Sequence, residues 1–254
     1  MKNTENKRGE KKSRKEDKNI RLHHYIAQCG IASRRKAETL MTEGRVTVNG
    51  KVITTPVFKV NPEKDFIKVN GKQIKPEKKI YIVFNKPEGC VSTVEDEKGR
   101  RTVIDALEGA FNERLFPVGR LDFNTTGALI MTNDGEWANR ITHPKFEVEK
   151  EYTAKIQGRF NDETAERLKK GVTIEGRRAR AKYAGVRSKH DKNDIIYVVI
   201  TEGMYHQVKD MLMAVGISVV RLRRERVGIV SVKGLEPGQW RFLTENEIQY
   251  FNKQ

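Results

Sequence analysis

Gly119-Arg120-Leu121-Asp122-Phe123-Asn124-Thr125-Thr126-Gly127, followed without a break by Ala128-Leu129-Ile130-Met131, is the most informative stretch of this 254-residue chain. The first nine residues are polar and bounded by glycine, the mark of a loop. The four that follow are continuously apolar, the mark of a buried strand. A carboxylate and a guanidinium two residues apart, Asp122 and Arg120, therefore stand where a loop enters a sheet, a position suited to holding a reactive group. Taken alone, the stretch fits an ordinary turn aspartate at least as well, because Asp is common in turns.

Periodicity to either side sets the fold class. Strands are expected at Gly127–Thr132, Glu151–Gln157, Ile195–Thr201, Val219–Arg224 and Val227–Val232. Helices are expected at Gly135–Ile141, at Asp162–Lys170 before Gly171, and at His206–Val215 before Gly216. Upstream, Ile80-Tyr81-Ile82-Val83-Phe84 is an apolar run of strand length followed by the turn residues Asn85-Lys86-Pro87-Glu88-Gly89. Strands and helices mix without regular βαβ alternation, so the class is α+β, built on a mixed, mainly antiparallel sheet with flanking helices.

Pro76 and the charged residues to Lys79 read as a linker, and a smaller domain precedes it. Leu22, Tyr25, Ile26 and Cys29 recur at helical spacing before Gly30. Ser33 caps a second helix whose apolar face is Ala37, Leu40 and Met41 and which ends near Gly44. Arg34, Arg35 and Lys36 crowd its first turn against the helix dipole, a placement that a phosphate-binding role explains. Val46-Thr47-Val48 before Asn49-Gly50, and Ile67 to Ile74 around Asn70-Gly71, read as hairpins, since Asn-Gly favours left-handed turn conformations. The expected organisation is a disordered basic leader at 1–19, a small domain at 20–78 and a larger one at 79–254.

Composition narrows the partners. Residues 1–78 carry 20 basic and nine acidic groups, and so hold +11 of the formal net charge of +16. A basic front on a more neutral body favours a polyanionic partner. No apolar run approaches the roughly 20 residues of a membrane span, and the N-terminus is too polar for a secretory signal, so a cytoplasmic location without membrane association is expected. Cys29 and Cys90, the only two cysteines, read as reduced thiols, and the five histidines show no metal-ligand spacing with them. Neither a metal nor another cofactor is expected. The absence of a long apolar surface stripe points to a monomer.

Two resemblances give these patterns a chemical meaning. Arg21-Leu22, Gly30-Ile31-Ala32-Ser33-Arg34-Arg35, Ala37-Glu38 and Gly44-Arg45-Val46-Thr47-Val48-Asn49-Gly50 resemble the S4-like RNA-binding module, which reads RNA by shape and phosphate contact. Gly119-Arg120-Leu121-Asp122-x-x-Thr125-Thr126-Gly127 resembles the active-site motif of the pseudouridine synthases. The branch acting on small- and large-subunit ribosomal RNA is matched, in order, by Phe84–Gly89, Thr132-Asn133-Asp134-Gly135, Thr142-His143-Pro144, Glu149-Lys150-Glu151-Tyr152 and Glu202-Gly203 through Gln207-Val208-Lys209.

That resemblance implies an isomerase that extrudes a uridine, detaches its uracil and rejoins it through carbon five. Asp122 is then the attacking carboxylate; an aspartate is ordinarily ionised at neutral pH and needs orientation more than activation. Lys209 is the cation paired with it, where many relatives carry Arg. Tyr152 stacks on the target base, and Arg120 approaches the flipped nucleotide's phosphate or the gap it leaves. The implied RNA contacts are Arg21, Ser33, Arg34, Arg35, Lys36, Arg45 and Asn49 in the front module and Thr125, Thr126, His206 and Gln207 near the site. The partner is ribosomal RNA or a ribosome assembly intermediate. His206-Gln207-Val208-Lys209 is similar to the small-subunit enzymes, whereas Ile31–Glu38, Val91-Ser92-Thr93-Val94 and Thr142–Pro144 are similar to the large-subunit enzymes, which are favoured. The alternative is a non-catalytic RNA-binding assembly factor that keeps the fold as a scaffold.

Overall fold

The computed structural model describes residues 19–107 and 109–254. The expected leader therefore lies, except for Asn19, outside the described residues. The chain divides into two compact units between Glu77 and Lys78.

In the first unit, β1 (Ile20–Arg21) leads into α1 (Leu22–Gln28) and α2 (Arg34–Thr42), followed by β2 (Val46–Val48), β3 (Lys51–Val52), β4 (Lys59–Val60), β5 (Ile67–Val69) and β6 (Lys72–Gln73). β1 pairs with β4, and the other four strands form an antiparallel sheet in the order β3-β2-β5-β6. Ser33 caps α2 by accepting from the Lys36 amide. Both Asn-Gly turns take the left-handed conformation at each residue, with φ of 51° and 82° at Asn49-Gly50 and 51° and 77° at Asn70-Gly71. Leu22, Ile26, Ala37, Met41, Val46 and Ile67 form the core beneath.

The second unit is one nine-stranded sheet between two layers of helices. Its elements are β7 (Tyr81–Lys86), β8 (Phe116–Pro117), β9 (Thr125–Thr132), α3 (Gly135–Thr142), β10 (Lys150–Ile156), α4 (Asp162–Lys170), β11 (Val172–Ile174), β12 (Arg177–Ala179), β13 (Tyr183–Ser188), β14 (Ile195–Ile200), α5 (Gln207–Ala214), β15 (Val219–Val227), β16 (Val230–Ser231), β17 (Trp240–Phe242) and α6 (Glu245–Asn252). The order is β13-β14-β10-β15-β9-β7-β17, with β8 on β9 and β16 on β15, while β11 and β12 form a separate ribbon. Alternation divides the core. Ile82, Phe84, Leu129 and Met131 face α4 and α5, whereas Val83, Ala128 and Ile130 face α3 and α6.

Every pairing in this sheet is antiparallel except β9 with β15, where Thr125, Thr126 and Gly127 lie beside Leu222, Arg223 and Arg224. This contact starts β9 two residues before the expected Gly127. The expected separate strand at Val227–Val232 is corrected. β15 runs on through Val227, turns at Gly228 (φ 55°) and returns as β16. Gly228 is required there because a Cβ would stand 2.7 Å from the Tyr250 ring.

Gly127 matters most for the site. Its φ is +104°, and a Cβ would stand 2.1 Å from the carbonyl oxygen of Arg224. Gly158 also has positive φ (+85°) but open space around it. In urea denaturation, Gly158→Ala should cost about 1–2 kcal/mol from backbone conformation alone. Gly127→Ala should cost about 1–3 kcal/mol more, because two backbones must separate.

Candidate active site

The loop from Gly119 to Asn124 is pinned from below. Ser92 Oγ accepts from the Leu121 amide at 3.0 Å and donates to the Leu121 carbonyl at 2.8 Å. The Gly89 amide donates to the Phe123 carbonyl at 3.1 Å. Lys86, fully buried, donates to the carbonyls of Pro87, Phe123 and Thr125 at 3.0, 3.3 and 2.9 Å. Burial holds this ammonium below its usual pKa, and the three carbonyls compensate for the lost hydration. With the loop fixed, the Asp122 carboxylate is held by its own neighbour, since Thr125 Oγ1 donates to Oδ2 at 3.3 Å and the Thr125 amide to the Asp122 carbonyl at 3.0 Å.

Two groups from the start of α5 complete its surroundings. Lys209 Nζ lies 3.0 Å from Asp122 Oδ2, and His206 Nε2 lies 3.5 Å from Oδ1. His206 precedes the helix in the left-handed region (φ 49°) and stacks on Tyr205 at 3.7 Å between ring centroids. A non-glycine residue there is costly unless its surroundings fix it. The Asp122 side chain keeps 23% exposure and faces a cleft of about 670 Å³.

The cleft floor comes from the sheet. Tyr152 on β10 and Arg224 on β15 are direct neighbours across the strands, both buried. Arg224 Nη1 donates to the Tyr152 hydroxyl at 3.4 Å and Nε to the Ala128 carbonyl at 2.7 Å, while Nη2 is buried without a partner. Lys150, also lining the cleft, donates to the carbonyls of Val148 and Thr201 at 2.9 and 3.3 Å. Burial, and then the nearby Arg224 charge, push its ammonium down to about 8.

The structure thus brings Asp122, Arg120, Tyr152, His206, Gln207 and Thr125 to one cleft, with Lys209 reaching Asp122 from α5. Arg120 is exposed there and makes no hydrogen bond or ion pair among the described residues. Three of the expected RNA contacts stand differently. Thr125 is buried and spends its hydroxyl on Asp122; Gln207 is buried, with Oε1 accepting from the Met204 amide at 2.9 Å; Thr126 is not among the cleft residues. In the front module Arg21, Arg34, Arg35 and Lys36 are exposed and Ser33 acts as a cap. Arg45 is tied to Glu43 and Asn70, and Asn49 binds Asp65 and the Phe66 amide, so its amide group serves the fold.

Arg224 had no expected role. Strand alternation contains the signal: with Leu222 facing inward, Arg224 faces the same way.

Comparison with known proteins gives the family. Residues 80–214 match the RNA pseudouridylate synthase family and residues 20–67 match the S4 domain. The chain belongs to the RNA pseudouridylate synthase family, whose members are isomerases, and carries an S4 RNA-binding domain before the catalytic one. It is 42% identical to the ribosomal large subunit pseudouridine synthase B of Bacillus subtilis, across 90% of this chain and 94% of that one. It is also 42% identical to an RNA pseudouridine synthase of Aquifex aeolicus, across 90% and 92%. A crystal structure of a pseudouridylate synthase superposes with a TM-score of 0.64 at 31% identity, covering 91% of this chain and 99% of the other.

Lys150 yields a pH prediction. Its pKa in the fold lies below that of a free lysine, about 10.4, so folding penalises the charged form. The penalty is complete below about pH 8 and disappears as pH rises towards 10.4. The melting temperature of Lys150→Met relative to the parent chain should therefore be higher at pH 7 than at pH 10.

Proposed function

We propose that this chain converts a uridine of large-subunit ribosomal RNA to pseudouridine, in the cytoplasm, as a monomer acting on the RNA or on a ribosome assembly intermediate. The observation that carries the reading is the Asp122 carboxylate facing a cleft of about 670 Å³ with Lys209 Nζ at 3.0 Å. Asp122 attacks once the uridine is extruded. Lys209, 3.0 Å away, orients the carboxylate. Tyr152 offers its ring to the uracil, and the exposed Arg120 meets the backbone phosphate at the mouth. Arg21, Arg34, Arg35 and Lys36 supply binding energy along the flanking RNA. Relatedness to the Bacillus subtilis large-subunit enzyme favours that substrate. A small-subunit target is the second reading, favoured by His206-Gln207-Val208-Lys209.

Purified protein incubated with unmodified ribosomal RNA and mapped by carbodiimide-dependent reverse-transcription stops should give a new stop in the large-subunit RNA. A stop in the small-subunit RNA alone would establish the second reading, and none in either RNA would remove both. Lys209→Met should slow single-turnover conversion by about 100-fold. Lys209→Arg, which keeps the charge in another shape, should recover part of that loss.

A further inference from the structure

The cleft floor holds more positive charge than the Asp122 pair uses. Arg224 is 3% exposed, and neither it nor Lys150 has a carboxylate within ion-pair distance among the described residues. The acids flanking Tyr152 in sequence are engaged elsewhere: Glu149 with Lys182 and Arg226, and Glu151 with Arg187 and Arg226. Arg224 is buried and Lys150 half-buried, and cations withdrawn from water without an ion-pair partner are costly, two in one cleft more so. Each keeps a donor free. Arg224 Nη2 has no partner, and two carbonyls use two of the three N–H bonds of Lys150. Beside them lies the Tyr152 ring, paired across the strands with Arg224, which anchors its hydroxyl, and two residues along β10 from Lys150; Leu222 on the adjacent strand lines the same cleft. A flat apolar wall with cationic donors at its edge suits a planar anion.

We propose that Arg224 and Lys150 form an anion-stabilising floor that receives uracil when it has left the ribose and carries negative charge on N1 and its two carbonyl oxygens. This rests on the pseudouridine synthase reading and adds a charge requirement to it. When the bond from N1 to C1′ breaks, the electron pair stays with the base and spreads over N1, O2 and O4, while an Asp122 oxygen bonds to the electron-deficient sugar carbon. The uracil turns and C5 forms the new bond to C1′ as the bond from C1′ to Asp122 breaks and returns its electron pair to the carboxylate; the C5 proton passes to solvent and N1 takes one proton from solvent, so no atom is gained or lost. Arg224 and Lys150 are catalytic residues in this scheme because their interaction grows as charge develops on the base. A backbone phosphate is the rival anion. Arg224 and Tyr152 are buried whereas Arg120, in the same cleft, is exposed and open to a phosphate, and the flat Tyr152 wall fits a ring better than a tetrahedral group.

The probe is 5-nitrouracil, a uracil analogue that is anionic at neutral pH and whose near-ultraviolet absorption reports binding. The full chain should bind it about tenfold or more tightly than uracil, and excess inorganic phosphate should not displace it. Lys150→Met and Arg224→Gln should abolish that preference while leaving uracil affinity and RNA affinity near the parent values. In single turnover on RNA each should lose about 100-fold in rate, and Lys150→Arg should recover part of the loss. Equal binding of the two bases, no binding of either, displacement by phosphate, or variants that keep the preference would each overturn the floor. Circular dichroism melts exclude misfolding, and the conservative Lys150→Met decides the matter if Arg224→Gln does not fold. A parent chain that prefers 5-nitrouracil yet forms no pseudouridine in any ribosomal RNA would count against the functional reading and not against the floor.

Discussion

At Gly127 the backbone of β9 runs so close to that of β15 that a side chain would drive a carbon to 2.1 Å from the Arg224 carbonyl oxygen. This parallel contact fixes two things together. It sets where β9 begins, and so where the loop bearing Asp122 must end. It also anchors the Arg224 side chain, whose Nε donates to the carbonyl of Ala128, one residue along β9. The Asp122 carboxylate and the buried guanidinium thus share one backbone constraint. Ser92 and Lys86, packed beneath the loop, hold the remaining freedom of Asp122.

Charge at the site is arranged in layers. Of Arg120, Asp122, Lys150 and Arg224, Arg120 is the most exposed and keeps its hydration at little cost. At the middle, Asp122 shares one carboxylate between Lys209 and His206. At the floor, Lys150 and Arg224 are desolvated and unpaired, which is unfavourable for the empty protein. Stability given up at the floor and strain at His206 both gather within one cleft, where interactions that strengthen during the reaction have the largest effect.

Much of this was legible in the sequence, and the exceptions have physical causes. The Asn-Gly turns, the Ser33 cap and the helices before Gly171 and Gly216 follow from local chemistry that tertiary packing leaves intact. β17 is three residues long, too short for a period, and β13 carries Gly185 where the Tyr197 ring leaves no room for a Cβ. The expected elements do not include α6, although its Thr244 and Glu247 form a capping box. At the site, a motif shows which residues belong together and not which are exposed. Thr125 and Gln207 therefore looked like surface contacts and are buried. Arg224 was hidden in the run Arg221-Leu222-Arg223-Arg224-Glu225-Arg226, which reads as a solvated basic strand until alternation assigns one face to the interior.

The account depends on Asp122 acting as a nucleophile and not as a structural acid. Forming pseudouridine replaces the hydrogen on carbon five of uracil, so RNA carrying tritium at that carbon releases it to water only when the reaction proceeds. Tritium release in a single turnover, with RNA binding measured in parallel, separates the two roles. Asp122→Asn should bind RNA as the parent chain does and lose about 10⁴-fold or more in release rate; release within a few-fold of the parent rate by a folded Asp122→Asn would contradict the account.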